Sequence, residues 1–205
     1  MIVNKFRITN KFPIVLASKS IIRKKLLKDV GLCFKVVTPN VNEKKFKSEY
    51  DNIPLTFLAS KLASEKAKST SKLYKGSYVI GADQICVFRN KPLNKPKTIS
   101  NAIKQLSSLN GFEHKQISAF SIYLDSKLIG KYCDTAVLKM RKLTKQNIID
   151  YIEDEKPINS CGAYKYESKG ILLFSKISGS IETIKGLPLL PLLELMHKKK
   201  IIQYA

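Results

Sequence analysis

Apolar positions along the chain fall into short runs and helical stripes separated by polar turns, and their periods predict the elements. Phe12 to Ala17 is a short apolar run closed by Ser18, the pattern of a buried strand. Ile22, Leu26 and Leu27 share one face of a helix from Ile21 to Val30, which Gly31 ends. Cys33 to Thr38 predicts a second strand, broken by Pro39, with Pro39-Asn40-Val41-Asn42-Glu43 as a loop. Pro54 suits the first turn of a helix running to about Leu73, with Leu55, Leu58, Ala59, Leu62, Ala63 and Ala67 on one stripe. Lys66 borders that stripe. A lysine there either snorkels to water or aims a buried cation into a cleft.

Ser77 to Phe88 reads as a strand interrupted by Gly81-Ala82-Asp83-Gln84. A carboxylate inside an apolar strand is costly unless it is hydrogen-bonded or functional. Gly81 permits a bulge or a close backbone approach. Asp83 is therefore either a carboxylate accepting local backbone bonds in a turn or a site residue. Arg89 to Pro92 reads as a turn, and Thr98 or Ser100 caps a helix carrying Ile99, Ala102, Ile103, Leu106 and Leu109. Lys115–Leu124 and Leu128–Met140 are predicted as paired strands joined at Asp125-Ser126-Lys127. Thr144 caps a helix to about Glu155, with Ile148, Tyr151 and Ile152 inward; Gly170–Ile177 follows as a strand and Leu189–Lys199 as the last helix. Early alternation of strand and helix with a central hairpin gives an α/β class with a mixed sheet.

The length of 205 residues suits one domain with a real core. Charge changes the picture more: 37 Lys+Arg against 16 Asp+Glu leave a formal charge of +21. Such a surface attracts polyanions. Spread from Lys5 to Lys200, it argues for a general bias and against a dedicated nucleic-acid arm. Cys33, Cys86, Cys133 and Cys161 form no C-x-x-C pair and only His114 and His197 accompany them, which argues against a zinc site. The cysteines read as reduced core residues. With no secretory leader and no membrane-length apolar run, a soluble cytoplasmic protein without a membrane partner is expected.

Chemistry concentrates first in Ile14 to Leu27. A strand feeding a helix N-terminus presents backbone N–H groups to an anion. Ser18 and Ser20 can cap the helix or donate to an oxygen, and Arg23 can fork two bonds to a phosphate. Read alone, the stretch is better explained as an ordinary capped helix with a solvated basic face. In context it is one of several motifs in order. Leu16-Ala17-Ser18-Lys19-Ser20-Ile21-Ile22-Arg23-Lys24-Lys25-Leu26-Leu27, the loop Pro39-Asn40-Val41-Asn42-Glu43, Glu65-Lys66-Ala67, Gly81-Ala82-Asp83-Gln84, Lys95-Pro96, Gly162-Ala163-Tyr164, Ile177-Ser178-Gly179-Ser180 and Gly186-Leu187-Pro188-Leu189 succeed one another from Phe12 to Met196. Together they resemble the Maf family, the septum-formation-inhibitor-like nucleotide pyrophosphatases.

The resemblance implies a single domain over residues 1–205, an inosine-triphosphate-pyrophosphatase-like fold with an elongated mixed β-sheet, flanking helices and two lobes around a central cleft, and often a homodimer. It implies cleavage of a nucleoside triphosphate between the α- and β-phosphates with a divalent cation (Mg²⁺, Mn²⁺ or Co²⁺). Such a reaction is mostly positioning and neutralisation of charge on the leaving pyrophosphate. Ser18, Arg23, Lys66 and Lys95 are the expected phosphate donors. Glu43 and Asp83 are the expected metal ligands, with Asp83 also the best general base; the sequence does not separate those two roles. Glu43, Lys66, Asp83 and Lys95 are accordingly the expected catalytic set.

Base recognition is expected from Gln84, Lys165 and Glu167, since Asp83-Gln84 and Lys165-Tyr166-Glu167 resemble the branch preferring 7-methyl-GTP, in a house-cleaning role. The alternative branch prefers dTTP and UTP. The chain departs from the family at Ile21, where proline is usual, at Asn42, where an aspartate is usual, and at Ile22, where the methylguanosine branch has an aromatic. The rival classes are a basic nucleic-acid-binding protein and a division-regulating interaction protein. The first calls for a basic stripe with interleaved aromatics, which the chain lacks. The second has no need of Glu43, Lys66, Asp83 and Lys95 together. Specific nucleic-acid binding is not expected.

Overall fold

A computed structural model describes residues 7–43 and 53–204. The elements run β1 (Ile8–Asn10), β2 (Ile14–Ala17), α1 (Ile21–Asp29), β3 (Lys35–Val37), α2 (Leu55–Ser71), β4 (Tyr78–Phe88), β5 (Lys91–Leu93), α3 (Ile99–Leu109), β6 (Glu113–Leu124), β7 (Lys127–Met140), α4 (Lys145–Glu155), β8 (Phe174–Ser178), α5 (Ile181–Ile184), α6 (Leu189–Lys198) and β9 (Ile202–Tyr204). The main sheet is mixed, in the order β3-β2-β4-β6-β7-β8, with β5 on β4. Strand β2 is parallel to β3 and β4, whereas β4–β5 and β7–β8 are antiparallel. This is the mixed α/β sheet with flanking helices that the sequence predicts. Among the described residues no helix is long and apolar enough to cross a membrane.

The chain divides into two compact units. Unit 1 is Met1–Asp83, Ser118–Asp134 and Gly186–Ala205; unit 2 is Gln84–Ile117 and Thr135–Lys185. In unit 1 the sheet is buried on both faces. Ile14 and Leu16 of β2, with Ile80 of β4 and Phe120 of β6, pack against Leu26 and Leu27 of α1 and Leu192 and Met196 of α6. Val15, Ala17 and Val79 point the other way, with Ala67 of α2 and Tyr123 of β6. Full burial of each such aliphatic side chain contributes about 1.5–3 kcal/mol, so these continuous apolar runs fix the register. In unit 2, Ala102, Leu106 and Leu109 of α3 meet Leu138 and Met140 of β7 and Ile148 and Ile152 of α4. Thr98 caps α3, and Thr144 with Asn147 forms a reciprocal capping box on α4.

The structure differs from the periodicity in instructive places. Strand β4 runs unbroken through Gly81-Ala82-Asp83-Gln84. A Cβ at Gly81 would lie 2.3 Å from the Ala63 carbonyl and 2.5 Å from the Ala67 amide. The glycine therefore serves close approach of α2, not a bulge. Arg89 and Asn90, with φ of +49° and +61°, form a two-residue turn into β5, which extends what reads in sequence as turn alone. Asp125 and Ser126 likewise turn β6 into β7. Residues Lys169–Leu173 are a 3₁₀ turn, so β8 begins only at Phe174. The short strands β1 and β9 pair with each other, a contact between chain ends that no local pattern encodes. All four cysteines are free, but Cys33 is exposed, a correction to its reading as core; Cys86 is buried, and burial pushes its thiol pKa up.

Candidate active site

Three segments of unit 1 that are distant in sequence, the one at Glu43, α2 and β4, meet around one ammonium group. The close approach at Gly81 lets α2 lie against β4, so Lys66 of α2 reaches Asp83, two residues further along the strand. Lys66 Nζ donates to Asp83 Oδ1 at 2.6 Å and lies 2.8 Å from Glu43 Oε1. Lys66 and Asp83 are each only 6% exposed. Burying either charge alone would cost several kcal/mol, so each explains the other's tolerance of the core. The Glu43 side chain is 49% exposed and forms the open edge of the cluster. Lys66 is thus the buried cation of the two sequence alternatives, and Asp83 is no local turn-former.

The opening motif supplies the adjoining wall. Ser20 caps α1 by accepting from the Arg23 amide at 3.3 Å. Ser18, 5% exposed, accepts from the Ser20 amide at 3.2 Å, and its own amide donates to the Val37 carbonyl at 3.0 Å. Arg23 is buried and extensively used. Its Nε donates to the Gly186 carbonyl at 2.7 Å, and its Nη1 donates to the Ala82 carbonyl at 2.9 Å and reaches Ser18 Oγ at 3.4 Å. The guanidinium therefore ties together the serine turn, the peptide preceding Asp83 and the start of the Gly186-Leu187-Pro188 segment. The carbonyls of Ala82 and Gly186 are site components that residue types could not announce, because every residue carries one.

Ser18, Arg23, Glu43, Lys66 and Asp83 are thus brought together within unit 1. The remaining expected site residues belong to unit 2. Gln84 uses its Nε2 to donate to the Ile184 carbonyl at 2.7 Å and the Thr183 carbonyl at 3.3 Å, steadying α5. Lys165 Nζ donates to the Glu155 carbonyl and lies 3.9 Å from Glu155 Oε2, where it closes the last turn of α4. Glu167 and Lys95 are exposed. Among the described residues no group of three or more His, Cys, Asp and Glu side chains is placed to hold a metal ion. The donor set of the site is two carboxylates sharing one cation.

The family model for Maf-like protein matches residues 13–199. A protein of Legionella pneumophila subsp. pneumophila (strain Philadelphia 1) named nucleoside triphosphate pyrophosphatase is 42% identical over 190 residues, covering 93% of this chain and 95% of its own. One of the same name from Bradyrhizobium diazoefficiens is 36% identical over 194 residues, covering 94% and 96%. Among solved structures, a HAM1 protein from Coxiella burnetii is similar at 13% identity with a TM-score of 0.45, covering 91% of this chain and 99% of that one.

Proposed function

Since the chain belongs to the Maf-like protein family, we propose that it is a nucleoside triphosphate pyrophosphatase, cleaving between the α- and β-phosphates to release a monophosphate and pyrophosphate. Relatives spanning more than nine-tenths of the chain carry that name. The observation that carries the reading is the buried Lys66–Asp83 pair with Glu43 at its open edge. A purely structural ion pair does not call for a third, exposed charge at 2.8 Å.

In this reading Asp83, fixed from one side by Lys66 and from its preceding peptide by Arg23, accepts the proton of the attacking water. Lys66 and Ser18 meet phosphate oxygens and neutralise charge as the pyrophosphate leaves. Arg23 holds the Ala82 and Gly186 carbonyls, and so orients Asp83 and Ser18 as much as it attracts phosphate. Glu43 and Asp83 offer hard carboxylate oxygens that suit a divalent cation, the ammonium between them showing that the protein directs both at positive charge. Such a cation supplies Lewis-acid neutralisation of the phosphates when bound. The exposed Lys95 is a further phosphate donor in this reading.

For the base, the reading is 7-methyl-GTP. The exposed carboxylate of Glu167 can accept from the N1–H and N2–H₂ of guanine, a donor pair pyrimidines lack. Gln84 and Lys165 support the neighbouring backbone. Pyrophosphate release from 7-methyl-GTP, GTP, UTP, CTP and dTTP, each with Mg²⁺, Mn²⁺ and Co²⁺, tests both levels. The expected order puts 7-methyl-GTP first. Faster cleavage of dTTP than of any guanine nucleotide overturns the base assignment, and no release from any triphosphate overturns the activity.

A further inference from the structure

An ammonium held between two carboxylates competes with every other cation for the same oxygens. Lys66 Nζ sits 2.6 Å from Asp83 Oδ1 and 2.8 Å from Glu43 Oε1, and these are the two acids assigned above to a divalent cation. Resting on that reading, we propose that Lys66 is a charge gate. In the free protein it keeps Asp83 and Glu43 occupied, and it releases them when its ammonium turns to the polyphosphate of an incoming nucleotide. Cation and nucleotide then bind strongly together and weakly apart.

The charges carry the argument. Lys66, Asp83 and Glu43 together sum to one negative charge, and to two without Lys66, while the buried Arg23 guanidinium on the Ala82 carbonyl is the same in both cases. A second cation brought to the same oxygens meets a compact point charge at contact range, and the lysine and aspartate side chains are only 8% and 9% exposed, so water screens that repulsion poorly. The ammonium can also move. Its stem is a flexible four-carbon chain on a well-packed helix, so a rotamer change displaces the charge without disturbing α2. The exposed partner, Glu43, shows which side is reachable: the ammonium already faces the accessible edge, where a phosphate would arrive. A phosphate brings more negative charge than either carboxylate and draws the ammonium more strongly. By linkage, whatever the nucleotide adds to cation affinity the cation adds to nucleotide affinity.

The test is Mn²⁺ binding, read by electron paramagnetic resonance on the nucleotide-free protein, for wild type, Lys66→Met and Lys66→Arg, each checked for a cooperative melt. Lys66→Met is expected to bind Mn²⁺ at least tenfold tighter than wild type, because both carboxylates lose their resident cation. Lys66→Arg, which keeps the charge, is expected to stay as weak as wild type. A non-hydrolysable α,β-methylene triphosphate is expected to tighten Mn²⁺ binding at least tenfold in wild type and much less in Lys66→Met. A folded Lys66→Met that binds Mn²⁺ no tighter than wild type overturns the gate. If that variant does not fold, wild type decides alone: Mn²⁺ binding that is as tight without the analogue as with it overturns the proposal. Pyrophosphate release by wild type is measured alongside. Release without the Lys66→Met tightening removes the gate and leaves the hydrolase reading; no release removes the hydrolase reading, while the Mn²⁺ titration still decides the gate.

Discussion

Both units bury polar side chains among their strands, and they manage them in opposite ways. In unit 1, Lys66 and Asp83 are kept as a charged pair that continues to the half-exposed Glu43. In unit 2, His114, Gln116 and Tyr164 are 2%, 2% and 4% exposed and form a neutral network. Gln116 Nε2 donates to the Tyr164 hydroxyl at 2.7 Å, and that hydroxyl lies 2.8 Å from His114 Nε2. The imidazole packs against the rings of Tyr164 and Phe174 at 5.5 and 5.7 Å between centroids. Burial lowers the His114 pKa to about 4 and pushes that of Tyr164 up. His114 Nδ1 and Gln116 Oε1 are buried without a partner among the described residues. The lesson concerns what surrounds a polar group. Where an opposite charge is supplied and one edge stays open, charge persists and is available for chemistry. Where aromatic rings close over the groups, they shed charge and serve packing.

The largest expected effect is at the charged cluster. Asp83→Asn keeps the shape and removes the proposed base, so kcat for pyrophosphate release should fall roughly a hundred- to ten-thousandfold while the melt stays cooperative. Near-normal turnover would make Asp83 as structural as His114 and break the comparison.

The next effect belongs to the neutral network. His114 titrates near 4 when folded and at 6.5 when unfolded. Between those values the unfolded chain binds more protons, so stability falls as pH drops from 6.5 towards 4, by on the order of 3 kcal/mol. Urea unfolding at a series of pH values should show this slope in wild type and its disappearance in His114→Gln. A slope that persists in the variant would place the titration elsewhere.

The smallest effect sharpens the contrast. Tyr164→Phe leaves the ring and removes the hydroxyl shared by His114 and Gln116, at a cost of about 2 kcal/mol in urea unfolding. A loss within about 0.5 kcal/mol, the range of a neutral surface change, would show that ring packing alone holds the network.

Much of the architecture is legible in the sequence because local rules agree there. The stripe from Leu58 to Ala67 and the caps at Thr98 and Thr144 all name their elements. The misreadings come from features with little local signal. Arg89-Asn90 turns directly into β5 although Lys91-Pro92 looks like more turn, and β1 finds its partner only in β9. Cys33 lies between Leu32 and Phe34 and yet is exposed, because an apolar neighbourhood in sequence does not fix which side of a short segment faces inward.

The sequence by itself determined the helix and strand alternation, marked Asp83 as a costly carboxylate in an apolar strand, and carried in the order of its motifs the family resemblance that singles out Ser18, Arg23, Glu43 and Lys66. These follow from side-chain type and spacing, which are local properties. Tertiary structure alone decided what those residues do to one another. Gly81 could have meant a bulge or a close approach, and the nearness of Ala63 and Ala67 settled it. Lys66 could have snorkelled, and the arrival of Asp83 from β4 kept it inside. Arg23 was expected to look outward to phosphate, and the Ala82 and Gly186 carbonyls claimed much of its guanidinium. The reason is the same in each case: the free energy of a buried charge depends on which opposite charges and carbonyls stand within about 3 Å of it, and only the folded chain brings those together.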